Sequence, residues 1–348
     1  MIRRPPRSTL SSSSAASDVY KRQAPKLLWI QDNKPELFEQ VAKVLLPASY
    51  LGYYLTGEFF MDMSDAAGTS WLDVGNRCWS EYALKASNMR SDQMPKLLEG
   101  SQVASSVSKF IADELGIPSG VSVVAGAGDN AAAACGVGIT KEGQGFVSIG
   151  TSGVLLTARD TYTPLANSAV HTFCHAIPKT WYQMGVILSA TDSLNWLSSV
   201  TGKSPKELSE GLGHKINGPS FEKFYPYLSG ERTPLNDAHI RGGFSGLSTN
   251  SNRMKLTQAV LEGVAFALCD CLEALKKAGP CPDQLLAIGG GSRSRFWLET
   301  IATTLNTTIA RPIDGEYGAA MGAARLAILG NCLLYTSPSP RDQRGSRM

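Results

Sequence analysis

Long apolar runs and dense charge are both missing from this 348-residue sequence. No stretch approaches the roughly 18 consecutive apolar residues of a membrane-spanning helix, so we expect no membrane span and no membrane partner. Charged residues make up only 18%, which argues against long solvated helices. Apolar residues make up 43%, enough to fill the cores of two domains of ordinary size.

Metal-ligand spacing is also missing from the cysteines and histidines. Cys269 and Cys271 lie on a predicted helix about 200° apart around its axis, so they cannot bind one ion together. His171 and His175 would share a face of a predicted strand, where packing or hydrogen bonding is favoured over a metal pair. We therefore predict no metal site of this kind, and buried, reduced thiols as in a cytoplasmic protein. The seven cysteines are residues 78, 135, 174, 269, 271, 281 and 332.

The two ends of the chain differ from its body. Residues 1–23 are rich in serine and arginine, and residues 332–348 alternate serine with proline and then turn basic. Neither end can bury an apolar face, so we predict that both are disordered and non-native, resembling translated sequencing adapters. A transit peptide is the alternative for the first. Residues 24–331 carry 25 basic and 28 acidic side chains, a net −3, which gives no general attraction for nucleic acid.

The first half of the body reads as mostly helical. Residues 25–47 predict a helix-rich opening in which Leu37, Val41, Val44 and Leu45 share one face. Residues 49–60 predict an aromatic helix that ends at Gly57, and residues 106–116 predict another helix that ends at a glycine.

A strand, a glycine loop and a helix then follow in order. Residues 121–124 predict a buried strand, which Gly126 and Gly128 end before a small-residue helix. This order places Asp129 at the mouth of an α/β sheet. A domain junction is expected near residues 140–145.

The second half alternates strands and helices. Two strands flank the turn Gly150–Gly153 as a hairpin, and a helix at 254–278 is amphipathic. Further strands are predicted at 171–177, 181–188, 285–288 and 308–310, and further helices from 189, at 293–305 and at 318–329.

Three glycine loops carry the candidate chemistry. The turn Gly150–Gly153 bares backbone N–H groups and a hydroxyl toward phosphate, and Gly289–Ser292 leads into a helix N-terminus that lets a nucleotide approach closely. In a cleft, Asp129 is suited to take the proton from an attacking hydroxyl during phosphoryl transfer. The alternative for Asp129 is a helix N-cap, since four alanines come soon after it.

Taken in order along residues 24–331, these segments resemble the FGGY carbohydrate kinases. The matching motifs are PKLLWIQ at 25–31, YYLTGE at 53–58, GAGDNAAAACGVG at 126–138, SIGTSG at 148–153, YLSGERTPLNDAHIRGGFSGL at 227–247, LEGVAFAL at 261–268, GGGSRSRFW at 289–297 and EYGAAMGAARLA at 316–327. Residues 171–185, HTFCHAIPKTWYQMG, resemble the members that phosphorylate D-xylulose.

The resemblance implies an α/β fold of the actin-like, ribonuclease H-like ATPase type. Residues 24–142 would form the later part of the first, sugar-binding domain and residues 143–331 the second, ATP-binding domain. ATP with Mg²⁺ would bind in the cleft between them, and a homodimer is one oligomeric state considered.

The resemblance also implies roles for individual residues. Asp129 would be the general base and Asn130 would contact the sugar. Glu231 and Arg232 are interpreted as an ion pair within their loop, in preference to a catalytic role. The nucleotide would be bound by Gly150, Thr151, Thr191, Asn195, Gly290, Gly291 and Arg295.

The chain departs from the family pattern at its start. The strand and Gly-Asp-Gly-Thr type loop that grip phosphate and Mg²⁺ have no counterpart before residue 121. We therefore expect the first domain to be incomplete and this chain to be inactive or nearly so. Kinases of ribulose, fuculose or glycerol, and a non-catalytic sugar- or ATP-binding module, are the alternatives.

Overall fold

The computed structural model describes residues 22–313 and 317–331. The first half of the chain is built from short helices and two-stranded sheets. Its helices are α1 (Gln23–Asn33), α2 (Pro35–Glu39), α3 (Pro47–Thr56), α4 (Met63–Ala66), α5 (Glu81–Ala86), α6 (Lys109–Leu115) and α7 (Asp129–Gly136). Its strands are β1 (Phe60–Asp62), β2 (Leu72–Asp73), β3 (Cys78–Trp79), β4 (Lys96–Leu98), β5 (Val103–Ser106) and β6 (Ser122–Val124).

The opening segment is where the sequence interpretation is wrong. Helix α2 ends at Glu39, and residues 41–46 are not helical, so the predicted face through Val41, Val44 and Leu45 does not exist. The segment instead bonds to a later part of the chain: Val44 N–H donates to the Gln93 carbonyl at 3.0 Å, and the Gln93 amide donates to the Val41 carbonyl at 2.8 Å. Pro47 disfavours helix in the residue before it.

The two predicted glycine stops in the first half are confirmed. Gly57 ends α3 with φ +80°, and Gly116 ends α6 with φ +66°. Both angles lie in the left-handed region, which glycine enters without a Cβ penalty. Strand β6 is also present, but it is only half-buried, so the prediction of a buried strand at 121–124 is wrong in that respect.

The strands of the second half are β7 (Gly145–Ile149), β8 (Gly153–Arg159), β9 (His171–Cys174), β10 (Trp181–Ile187), β11 (Lys223–Tyr225), β12 (Gly243–Ser245), β13 (Gln284–Ile288) and β14 (Thr308–Ala310). Six of them form one mixed sheet with the order β14-β13-β7-β8-β10-β9. The predicted hairpin is confirmed, with Ile149 of β7 paired to Gly153 of β8. Strands β7, β13 and β14 are mutually parallel, whereas β8, β9 and β10 pair antiparallel.

Helices cover this sheet on both faces, which gives a three-layer arrangement. The helices are α8 (Thr191–Thr201), α9 (Pro205–Glu210), α10 (Arg253–Ala278), α11 (Arg295–Leu305) and α12 (Gly318–Gly330). One face packs against α8, α10 and α11 through a core that includes Leu155, Leu268 and Trp297. The other face packs against α7 and α12 through Phe146, Leu156 and Ile288.

The first half docks on the β9–β10 edge of the sheet. The Arg77 guanidinium makes two hydrogen bonds to the Glu99 carboxylate, at 2.7 and 3.2 Å, and a third to the Thr180 carbonyl at 3.0 Å. The Trp181 indole N–H donates to the Val74 carbonyl at 2.8 Å. These contacts fix the first half against the sheet on which α7 lies.

The predicted non-native ends fall almost entirely outside the described residues. Arg22 and Gln23 are the exceptions, because Arg22 donates to the Ala67 carbonyl at 3.3 Å and Gln23 begins α1. The predicted boundary between residues 23 and 24 therefore lies inside a helix. In the part of the chain that the structure describes, no helix has the length and apolarity to cross a membrane.

Candidate active site

Asp129 is the first residue of α7 and its side chain is exposed. Gly128 occupies the N-cap, so the alternative in which Asp129 itself caps the helix is wrong. The Asp129 Oδ1 atom accepts from the Asn130 backbone N–H at 2.6 Å and from the Asn130 side-chain amide at 3.0 Å. Because Asp129 is the first residue of α7, its carboxylate lies near the positive end of the helix dipole, where a negative charge is favoured.

Two further carboxylates lie close to this loop, and the sequence interpretation missed both. Burial is the main cause that raises the pKa of Asp62 to about 6. Burial also raises the pKa of Asp65 to about 7, with smaller contributions from the charges of Asp62 and Asp129. The segment Met-Asp-Met-Ser-Asp at 61–65 carries paired acids in a turn, which was the one signal in the sequence that pointed to them.

Tyr182 of the six-stranded sheet lies near the carboxylates of Asp62, Asp65 and Asp129. Its ring is buried on β10 and packs edge-on against Phe173. Burial, followed by the charges of Asp129, Asp62 and Asp65, raises the pKa of its phenol well above the usual value. Asp129 is the foremost of these charges, so the carboxylate and the phenol belong to one neighbourhood.

Backbone hydrogen bonds join the hairpin turn to the start of α8. The Gly150 carbonyl accepts from the Thr191 N–H at 2.9 Å, and the Thr151 carbonyl accepts from the Ala190 N–H at 2.8 Å. Thr151 is exposed, and Asn195 is exposed one helical turn after Thr191. The first amides of α8 are therefore used inside the protein, whereas the side chains of Thr151 and Asn195 face solvent.

The second glycine loop packs on the end of β7, next to that turn. A methyl group on Gly289 would come within 2.8 Å of the Ile149 carbonyl oxygen, and one on Gly291 would overlap the Ile149 side chain. Gly290 is different, because a methyl group there would meet open space. Gly290 thus leaves room for a ligand, while Gly291 is needed for packing.

Arg295 lies at the first position of α11, one turn beyond this loop. Its guanidinium donates to the Glu299 carboxylate at 2.9 Å on the exposed helix surface. Its predicted contact with a nucleotide stays a prediction.

Glu231 holds its loop to the sheet through backbone amides. Its Oε1 accepts from the Leu188 N–H at 3.0 Å and from the Arg232 N–H at 2.7 Å, while the buried Oε2 has no hydrogen-bond partner among the described residues. Burial raises the pKa of this carboxyl to about 7, although both amides and the Arg232 charge oppose the shift. The Glu231 carboxylate thereby links its loop to Leu188, the residue that follows β10.

The cysteines and histidines form no metal centre within residues 22–313 and 317–331. His175 is buried, its Nδ1 accepts from the Ile177 N–H at 3.2 Å, and burial lowers its pKa to about 4. This agrees with the favoured reading of packing and hydrogen bonding. Burial raises the pKa of Cys135 and Cys174 to about 12, as expected for inert thiols, but Cys78 is exposed, so the prediction of buried thiols is wrong for that residue.

Two parts of the chain match the models of one known protein family. Residues 17–136 match the FGGY family of carbohydrate kinases, N-terminal domain, and residues 145–330 match the C-terminal domain of the same family. The protein therefore belongs to the FGGY carbohydrate kinases, and its fold is the α/β actin-like ATPase fold of that family. The first match begins before the predicted native start at Ala24.

Individual relatives narrow the likeness further. The chain is 44% identical to xylulose kinase from Escherichia coli K12 over 305 residues, which is 87% of this chain and 63% of that protein. It is 42% identical to xylulose kinase from Klebsiella pneumoniae over 307 residues, again 87% of this chain and 63% of the relative. The chain thus spans about 63% of the length of these curated relatives.

Solved structures agree with the sequence relatives. The crystal structure of a xyloylose kinase from Brucella ovis matches with a TM-score of 0.87 and 52% identity, over 90% of this chain and 64% of that one. Ligand-bound xylulose kinase from Lactobacillus acidophilus matches with a TM-score of 0.84 and 26% identity, over 92% of this chain and 67% of that one.

Proposed function

We propose that the complete protein phosphorylates D-xylulose with ATP, giving D-xylulose 5-phosphate. The observation that carries the proposal is the exposed carboxylate of Asp129 at the N-terminus of α7, in a chain 44% identical to a xylulose kinase. A general base needs an accessible carboxylate that reaches the hydroxyl it deprotonates, and Asp129 meets the first condition.

Asp129 and Asn130 have different proposed roles toward the sugar. Asp129 takes the proton of the attacking hydroxyl as that oxygen bonds to the γ-phosphorus of ATP, and the bond from that phosphorus to the oxygen that leaves with ADP breaks. The Asn130 side-chain amide already donates to Asp129, which leaves the Asn130 carbonyl oxygen to accept from a second sugar hydroxyl. The pair thereby fixes both the proton acceptor and the orientation of the sugar beside it.

The nucleotide-binding role is proposed for the second half of the chain. The hydroxyl of Thr151 is suited to phosphate, and the open space over Gly290 is suited to adenosine. Gly291 instead packs against the Ile149 side chain. Gly150, Thr191, Asn195 and Arg295 complete the proposed contact set. Residues 24–142 are proposed as the sugar-side domain and residues 143–331 as the ATP-side domain.

Mg²⁺ fits only together with the nucleotide. The described residues contain no group of three acidic, histidine or cysteine side chains that could hold an ion. Magnesium is usually held by one or two carboxylates together with phosphates and water, so such a group is not required. When bound, it neutralises charge on the transferred phosphoryl group.

A sugar-acid kinase is the second candidate. Gluconate kinase from Lactobacillus acidophilus matches with a TM-score of 0.83 and 26% identity, nearly the same values as the xylulose kinase of that organism.

A cytoplasmic location is proposed from the six free cysteines of the described chain. A homodimer is proposed as one oligomeric state to test by light scattering.

An assay of ADP release tests the proposal. The complete protein is supplied with ATP, Mg²⁺ and, in separate reactions, D-xylulose, L-ribulose, L-fuculose, glycerol and gluconate. The proposal predicts the highest kcat/KM with D-xylulose, and a higher value with gluconate would favour the second candidate. The same assay on the 348-residue chain tests the expectation that this shorter chain is inactive.

A further inference from the structure

The loop that carries Asp129 is tied to a turn 64 residues earlier in the chain. Asp62, at the end of β1, caps α4: its Oδ1 accepts from the Ser64 and Asp65 backbone N–H groups, each at 2.9 Å. The same oxygen accepts from the Ser64 hydroxyl at 2.5 Å. The Ser64 hydroxyl oxygen in turn accepts from the Gly128 N–H at 2.9 Å.

When Asp62 is ionised, the donors and acceptors in this series of hydrogen bonds have only one possible arrangement. A carboxylate only accepts and a backbone N–H only donates. The single hydroxyl hydrogen of Ser64 therefore goes to Asp62, and an oxygen lone pair is left for Gly128. Asp62 and Ser64 are 2% and 3% exposed, so water does not compete for either bond.

Gly128 is the last residue before Asp129, so this bond acts on the start of α7. The loop is held on its other side by the Gly126 N–H, which donates to the Gly100 carbonyl at 3.0 Å. The α4 backbone also packs closely against the loop, because a methyl group on Gly128 would come within 3.4 Å of the Asp65 Cα.

The Asp129 side chain itself has only local support. Among the residues that the structure describes, both hydrogen bonds to its carboxylate come from Asn130, the next residue. The direction in which the carboxylate leaves the backbone is therefore set by the backbone at Gly128. We propose that Ser64, oriented by Asp62, is a positioning residue that fixes the start of α7 and thereby aims Asp129 at the sugar hydroxyl. The kinetic part of this inference rests on the proposed function.

Amide hydrogen exchange of the 348-residue chain tests the tether without any need for activity. Ser64→Ala removes the hydroxyl and is expected to speed exchange of the Gly128 amide by about tenfold or more, while the Gly126 amide, held by Gly100, stays as slow as before. Ser64→Thr keeps the hydroxyl and is expected to retain slow exchange. Ser80→Ala removes a comparable helix cap at α5 and serves as the matched control.

Kinetics of the complete protein test the positioning role. Ser64→Ala is expected to lower kcat by roughly tenfold or more and to leave KM for ATP within about twofold, with recovery in Ser64→Thr. If Ser64→Ala does not fold, Ser64→Cys replaces it, because the thiol fills the space but is a weak hydrogen-bonding group.

The outcomes separate this inference from the proposed function. Unchanged Gly128 exchange, or an unchanged kcat, in the hydroxyl-free variant would overturn the positioning role. If the complete wild-type protein phosphorylates none of the sugars, the proposed function fails, and the exchange measurement alone decides whether the tether exists.

Discussion

Gly136 of α7 lies directly against the carbonyl of Gly318 in α12, so that a methyl group on Gly136 would overlap that carbonyl. Gly322 stands in the same relation to the Ala132 carbonyl, and Arg325 donates to the Cys135 carbonyl at 3.0 Å. The helix that begins with Asp129 is therefore packed backbone to backbone against the last described helix. Its position depends on residues nearly 200 positions away.

Gly136→Ala provides the first prediction. Helix propensity alone would stabilise the protein by up to about 1 kcal/mol, whereas overpacking of this kind costs about 1–3 kcal/mol. We expect a net loss of unfolding free energy, measured by urea denaturation. Gly243→Ala is the control, since a methyl group there meets open space. A variant at least as stable as wild type would show that the two helices are not in this contact.

The second prediction concerns the buried carboxyl of Glu231. Its pKa is raised from 4.5 to about 7, so the stability it contributes is present below pH 4.5 and is lost as the pH rises through 7. The shift corresponds to at most about 3 kcal/mol. Glu231→Gln cannot ionise. Between pH 5 and pH 8 its unfolding free energy should therefore rise relative to that of wild type by up to that amount.

Urea denaturation at both pH values checks this expectation. Glu273→Gln is the matched control, because Glu273 is exposed on α10 and pairs with Lys276. A difference between Glu231→Gln and wild type that is the same at pH 5 and pH 8 would contradict a raised pKa at Glu231.

The third prediction separates two neighbouring glycines. Gly290→Ala leaves the fold intact because the space above it is open, but the methyl group would occupy the proposed nucleotide position, so the Kd for ATP should rise several-fold. Gly291→Ala would collide with Ile149, so the unfolding free energy should fall by about 1–3 kcal/mol. Calorimetric titration with ATP and thermal unfolding distinguish the two effects. Equal losses of stability in both variants would refute the division of roles.

Local chemistry explains which parts of the fold were predictable. Gly57 and Gly116 end helices because each needs a left-handed angle, and the Arg253–Ala278 helix follows from its apolar stripe. The opening segment was mispredicted because Val44 bonds to Gln93, a tertiary contact that overrides the helical spacing. Such contacts leave no trace in the periodicity of the segment itself.

The candidate site was predictable to a similar degree. The loop of Asp129 and the two glycine loops were recognisable as strand ends, and the structure brings Gly150, Thr191 and Gly291 together around the end of β7. The tether through Ser64 was not, since its two ends are 64 residues apart and its residues are ordinary in a turn. A hydroxyl acquires such a role only once the fold has placed an amide beside it.

The central claim is that Asp129 is the general base, and the kcat of Asp129→Asn for D-xylulose in the complete protein tests it most directly. General-base catalysis contributes about 10²–10⁴-fold, so we expect kcat to fall by at least about 100-fold. The Kd for ATP and the melting temperature should match those of wild type. A kcat within about threefold of wild type would contradict the assignment of Asp129 as the base.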